Sequence, residues 1–220
     1  MFAEELGTHD VNALASTSRE MNMLLVRLMY LRAKDSTTKR GRPYFLLAVD
    51  EGNLRAVEQF IEVGALVNMT DNVTSLPETA IHSCAYFGHV EIAELLIDTG
   101  INVSAVDRFG DGALHNVMIG LHPKEAMMTL LVEAGADIEA IRESFMALHV
   151  TALHQAAMST NFRMVKCLLN LGADPNAADE FGRRPWDMVT DDDSGTAIRL
   201  LLEEGGDDRH RREGHTRSYW

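Results

Sequence analysis

The chain of 220 residues is 46% hydrophobic and carries a formal net charge of −13. This composition predicts a folded chain, and the charge disfavours nucleic acid and anionic membrane surfaces as partners. No apolar run reaches 18 residues, and the start lacks the basic and apolar regions of a secretory signal. Two cysteines, Cys84 and Cys167, lie in apolar helical patterns. We therefore expect a protein of the cytoplasm or nucleus that is not secreted and does not use a membrane.

The first strong pattern is a helix over residues 17–34. Thr17 and Glu20 fit a capping box, and apolar residues follow at helical spacing. We interpret residues 1–40 as a helical extension that caps the domain after it. The alternative is a helix that docks into a groove of a partner.

A short basic linker follows this helix. Arg40–Pro43, in the stretch KRGRP, resembles the core of an AT-hook, which reads narrow A·T minor grooves with two arginines around a glycine. Pro43 is equally well placed to start a helix. The linker therefore leaves open a DNA- or chromatin-associated function, although the acidic body of the chain argues against nucleic acid as a partner.

The body of the chain repeats itself. A four-residue motif ending in histidine occurs as Thr79–His82, Gly112–His115 and Thr151–His154, and each copy leads into two helical patterns. Glycines mark the copies at intervals of 33 to 37 residues: Gly64, Gly100, Gly135, Gly172 and Gly205. Degenerate copies begin near Pro43 and Arg184. Each copy is too small to bury its apolar face alone, so stacked copies must share a core.

These motifs resemble the ankyrin-repeat family, whose signature is TPLHxA with a period near 33 residues. The resemblance covers residues 42–207 and includes Gly88-His89 and the stretch GADPNAAD, whereas alanine replaces the signature proline at Ala80, Ala113 and Ala152. It implies an all-α solenoid of about five helix-turn-helix repeats with short hairpin loops. We expect the array to occupy 41–207, with repeats at 42–71, 72–107, 108–143, 144–180 and 181–207. We expect a disordered tail over 208–220.

The resemblance also implies what the repeated motif does. In the family, the threonine hydroxyl and the histidine ring form hydrogen bonds within and between repeats. Thr79, His82, His115, Thr151 and His154 are therefore predicted to be structural. Histidines on successive repeats, about 10 Å apart, could not share a zinc ion, whose bonds to nitrogen are about 2 Å. We expect no metal, no cofactor and no catalytic residue.

Ankyrin arrays bind partners through the concave face and the loops between repeats, which directs attention to the loops here. Aromatic residues recur every 36 positions in these loops, next to isolated positive charges. The predicted partner-binding residues are Arg108, Phe109, Arg142, Phe145, Met146, Phe181 and Arg183. An aromatic ladder that grips an extended partner is one interpretation. Packing of each aromatic on a neighbouring loop, with solvated arginines, is the other.

No phosphate-binding glycine loop, GxSxG motif or CxxC motif appears in the sequence. The sequence therefore predicts a non-enzymatic protein–protein interaction module, without a small-molecule substrate, that acts as an adaptor, scaffold, inhibitor or structural subunit. One alternative is a fixed subunit of a large cytoskeletal or organellar assembly, and the other is the DNA-associated factor noted above.

Overall fold

In the computed structural model of the chain, the described residues are 27–33, 37, 42–70, 79–107, 110–120, 125–141, 149–190 and 193–212. The chain divides into two compact units, Met1–Leu66 and Val67–Trp220. Each unit is built from helices, and antiparallel pairing in the described residues is limited to isolated bridges such as Val106 with Gly112.

The first unit contains a helical segment over 27–33, followed by α1 (Tyr44–Asp50) and α2 (Leu54–Glu62). Its core is aromatic. Phe45 and Phe60 are fully buried and meet edge to face with ring centroids 6.1 Å apart. Tyr30 of the helical segment packs edge-on against Phe60 at 4.7 Å. Pro43 directly precedes α1 with φ −56°, and the Asn53 side chain caps α2 by accepting a hydrogen bond from the Ala56 amide.

The second unit contains four successive repeats. In each of the first three, a short helix that begins at the repeated motif precedes a second helix, whereas in the fourth a 3₁₀ turn replaces the short helix. The elements are α3 (Ala80–Phe87), α4 (Val90–Asp98), α5 (Ala113–Ile119), α6 (Glu125–Glu133), α7 (Ala152–Met158), α8 (Phe162–Asn170), the 3₁₀ turn (Pro185–Met188) and α9 (Asp193–Arg212).

The helices of this unit form two layers because the two kinds of helix bury different residues. In the first layer α3 packs on α5, α5 on α7 and α7 on the 3₁₀ turn, through small buried residues such as Ala113 and Ala156 that allow close approach. In the second layer α4, α6, α8 and α9 pack in sequence through buried leucines such as Leu96, Leu131 and Leu168. Burying each large aliphatic side chain contributes about 1.5–3 kcal/mol, so the shared core stabilises repeats that could not fold alone.

Glycine ends the second helix in three consecutive repeats. Gly100, Gly135 and Gly172 have φ of 86°, 95° and 100°, a conformation that side chains rarely adopt. The connection after Gly100 is tied to the corresponding connection one repeat earlier: Asn68 accepts a hydrogen bond of 2.8 Å from the Asn102 amide. These features confirm the predicted all-α repeat solenoid.

Two features of the last repeat differ from the regular pattern. Gly205 lies inside α9 rather than at a helix end, because a Cβ there would sit 3.2 Å from Leu169 Cδ2 and glycine allows α9 to approach α8. Helix α9 continues to Arg212, beyond the predicted array boundary at residue 207. Among the described residues, no helix is both long and apolar enough to cross a bilayer.

Candidate functional site

The histidine of the repeated motif links each repeat to the next. Thr151 donates its backbone N–H to His154 Nδ1 at 3.2 Å, and its hydroxyl lies 2.9 Å from the same atom. Because Nδ1 accepts, the ring carries its proton on Nε2. Nε2 then donates to the carbonyl oxygen of Arg183 in the following repeat at 3.1 Å. One fully buried ring thus fixes the start of α7 and the loop that precedes the next repeat.

The same contact recurs in the two preceding repeats. His82 Nδ1 accepts from the Thr79 amide at 3.3 Å, and His82 Nε2 donates to the carbonyl of Asp111 at 3.2 Å. His115 Nε2 lies 3.2 Å from the carbonyl of Val150. Three buried imidazoles therefore form a series of bonds between repeats, which we call the histidine ladder (His82, His115 and His154).

Burial favours the neutral form of two ladder histidines, His82 and His154. Burial lowers the pKa of His82 and of His154 below the ordinary value of 6.5, against smaller opposing effects of carbonyl bonds and nearby carboxylates. The hydrogen bonds given above join each ring to backbone groups or to a threonine hydroxyl. Across the described ranges, no three or more His, Cys, Asp or Glu side chains are grouped so that they could hold a metal ion.

The loop over residues 179–183 is held rigidly by Asp179. Its carboxylate accepts hydrogen bonds from the amides of Phe181 and Arg183 at 2.9 and 2.8 Å. It also forms an ion pair with the Arg183 guanidinium at 2.8 Å. Burial acts to raise the pKa of Asp179, but these bonds outweigh it and hold that pKa below its ordinary value. Together with the His154 bond, they fix the loop from both sides.

This rigid loop presents an aromatic side chain to solvent. Phe181 is 66% exposed, and the Arg183 guanidinium lies 5.0 Å from the centre of its ring. The equivalent loop two repeats earlier is closed in the same way: the Asp107 amide donates to the Asp111 carbonyl, and the Asp111 amide donates to the Asp107 carboxylate, each at 2.9 Å. The remaining predicted binding residues lie outside the described residues: Arg108, Phe109, Arg142, Phe145 and Met146.

Three residues at the ends of the first-layer helices were missed by the sequence interpretation. Tyr86, Ile119 and Met158 occupy one repeat position, four residues after each ladder histidine. Tyr86 is half-buried, Ile119 is 42% exposed and Met158 is 55% exposed. The backbone of Gly120 lies against the Tyr86 carbonyl, so α3 and α5 end side by side. The sequence signal that could have identified them is a large apolar residue four positions after each ladder histidine.

One arginine of the linker that resembles an AT-hook, Arg42, forms an ion pair with Asp50 of α1. Both oxygens of Asp50 contact the Arg42 guanidinium, at 2.7 and 2.9 Å, and both side chains are mostly buried. The guanidinium that would have to enter a minor groove is thereby bound to α1. Arg40 and Gly41 lie outside the described residues.

Comparisons with known proteins agree with this geometry. The family described as ankyrin repeats (3 copies) matches residues 45–142, and a single ankyrin repeat matches residues 148–177. Similar proteins include human ankyrin repeat and SOCS box protein 3 (28% identity, 63% of this chain, 32% of the relative). Mouse B-cell lymphoma 3 protein homolog is 27% identical over 72% of this chain and 36% of the relative. A Caenorhabditis elegans homolog of transient receptor potential cation channel subfamily A member 1 is 26% identical over 81% of this chain. The match covers 14% of that channel homolog, so the chain spans only about a third or less of these relatives.

Proposed function

Because the chain belongs to the ankyrin-repeat family, we propose that it is a non-enzymatic module that binds another protein through its concave face and inter-repeat loops. Ankyrin repeats are interaction domains, and both family models that match are ankyrin-repeat models. In this proposal the chain acts as an adaptor, scaffold, inhibitor or structural subunit, and its partner supplies any activity.

The exposed Phe181 on its rigid loop is the observation that carries this proposal. Most of the Phe181 ring is exposed to solvent, and burying a large apolar side chain against a partner contributes about 1.5–3 kcal/mol. The Asp179 and His154 bonds order the loop before any partner arrives. Binding therefore costs little additional loop entropy, which is the condition under which a small contact yields useful affinity.

The surface at the ends of the first-layer helices extends this site. Tyr86, Ile119 and Met158 add a row of large side chains across three consecutive repeats. A partner that lies across the repeats would contact one of them in each repeat. The loop residues outside the described ranges, Phe145 and Met146 above all, belong to the same proposal because their sequence positions match the Phe181 loop.

Affinity capture with matched variants tests the proposal. The bait is the full chain, beside Phe181→Ala and the control Leu200→Ala, which removes a side chain of similar exposure (56%) from α9. Both variants should unfold within about 0.5 kcal/mol of wild type, because both residues are exposed. We expect a specific protein that wild type and Leu200→Ala retain and that Phe181→Ala recovers at least about tenfold less efficiently, equivalent to about 1.4 kcal/mol.

Two results would count against the proposal. Recovery of the same partners by all three baits would place the binding surface away from loop 179–183. It would favour a fixed subunit of a large assembly, whose contacts are spread over the ends of the chain. Recovery of no protein above background from any tissue or growth condition would refute the proposed interaction.

A further inference from the structure

A groove of about 470 Å³ lies between α6 and α8 in the second layer of helices. Cys167 and Thr129 line it, with the sulfur 3.9 Å from the hydroxyl. Phe162 and Leu171 contribute its apolar lining. The groove is thus separate from the first-layer helices and from loop 179–183, and no step of the proposed partner binding uses it.

The charge of this groove is opposite to that of its surroundings. Between residues 79 and 182, the described part of the chain contains two Lys or Arg residues, and both line the groove: Arg163 and Lys166. They lie three residues apart on one face of α8. Helix α4 carries exposed acids instead, Glu91 and Glu94. With Glu125 also in its lining, the groove carries a net charge of +1.

The two cations have different roles within the groove. Arg163 forms an ion pair with Glu125 at the start of α6, with a nitrogen–oxygen distance of 2.6 Å. This pair spans the two helices and neutralises the acidic residue of the groove. Lys166 is exposed and has no ion pair within the described ranges. Beside it, Phe162 is 43% exposed at the first position of α8.

We propose that this groove is a second docking surface, which takes an acidic segment of a partner protein bearing one large apolar side chain. The apolar side chain packs against Phe162 and Leu171. The carboxylates of the segment approach Lys166 and the outer face of the Arg163 guanidinium. Charge complementarity selects the occupant: an acidic segment gains Coulomb attraction here and is repelled by the rest of the chain, whereas a basic one is attracted elsewhere.

The reactivity of Cys167 can report whether the groove is occupied. Cys84 is fully buried, whereas Cys167 is half-buried and lines the groove, so an occupant should shield Cys167 selectively. The probe is the blocked pentapeptide DEFDE, with KRFKR and DEADE as controls for charge and for the aromatic side chain. Alkylation of Cys167 by neutral iodoacetamide is followed by mass spectrometry. Mildly alkaline buffer is used because burial raises the pKa of this thiol.

We expect DEFDE at about 3 mM to slow Cys167 alkylation about fourfold, as a dissociation constant near 1 mM would give. The protection should fall in 0.5 M salt, and it should be lost with Lys166→Glu when each variant is compared with and without peptide. It should persist in Phe181→Ala, which separates this inference from the partner surface at loop 179–183. Unchanged alkylation with DEFDE, or equal protection by KRFKR, would overturn the proposal.

Discussion

Replacing His154 with asparagine or glutamine separates the two halves of a ladder contact. Asparagine places an acceptor near the position of Nδ1, so it can keep the hydrogen bond from the Thr151 amide. It is too short to reach the Arg183 carbonyl, 3.1 Å beyond Nε2. Glutamine has the opposite property, because its terminal amide can reach that carbonyl while the acceptor for Thr151 is lost.

The expected cost follows from the bonds and the burial. His154→Asn removes one hydrogen bond, worth about 1 kcal/mol, and leaves a small cavity at a fully buried site that adds about 1–2 kcal/mol. His154→Gln leaves the Thr151 amide without its acceptor, which costs a similar amount. We therefore expect each variant to lower the free energy of unfolding by about 2–3 kcal/mol, measured by urea denaturation with circular dichroism.

Hydrogen–deuterium exchange distinguishes the two variants. The amide of Asp179 donates to the Arg183 carbonyl at the base of loop 179–183. In His154→Asn that carbonyl loses its second donor, so exchange in the loop should accelerate more than in His154→Gln. A change in unfolding free energy below about 0.5 kcal/mol for both variants would refute the reasoning, since it would mean that the ladder bonds contribute no more than ordinary surface contacts.

Three further predictions concern the ladder and its surroundings. Because burial lowers the pKa of His82 and His154, the unfolded chain binds more protons than the folded one below pH 6.5, and the stability should fall as the pH drops from there. The free energy of unfolding should change by no more than about 1.4 kcal/mol per pH unit for each histidine. Urea midpoints that stay constant between pH 7 and 5 would contradict the expected fall in stability. Thr160 has φ 53° at the position where an earlier repeat has Gly88. Thr160→Gly should therefore stabilise the folded chain by about 0.5–1 kcal/mol. A lower melting temperature of the variant would show that this backbone is not strained. Gly112 has φ −83° and open space where a side chain would lie. Gly112→Thr should therefore raise the free energy of unfolding by about 0.4–1 kcal/mol, because it restricts the unfolded chain. A lower free energy of unfolding in chemical denaturation would contradict this prediction.

The sequence predicts the regular parts of this fold because they rest on local chemistry. A threonine before a short apolar helix and a glycine after the second helix mark the repeats, and the structure places helix ends at Gly100, Gly135 and Gly172. Gly205 carries the same sequence signal but lies within a helix, because its role is close packing on Leu169. That distinction depends on a contact 36 residues away, which no local pattern contains.

The candidate surfaces were less predictable for the same reason. Phe181 stands out in sequence because it recurs at a fixed interval. The groove beside Cys167 does not, since its walls come from α6 and α8, and its character depends on an ion pair between Glu125 and Arg163. Thr160 likewise shows nothing unusual until its backbone conformation is known.

The histidine ladder also gives the stack a direction. Every ring reaches toward the repeat that follows it: His82 to Asp111, His115 to Val150 and His154 to Arg183. A head-to-tail contact of this kind could in principle propagate from one molecule to the next and build a filament. In the fourth repeat of the second unit, Asp187 occupies the histidine position, and its carboxylate accepts from the Arg184 amide of the same turn at 2.8 Å. The forward-reaching series therefore stops at His154, because the side chain at the next ladder position bonds back to its own repeat and does not extend the stack.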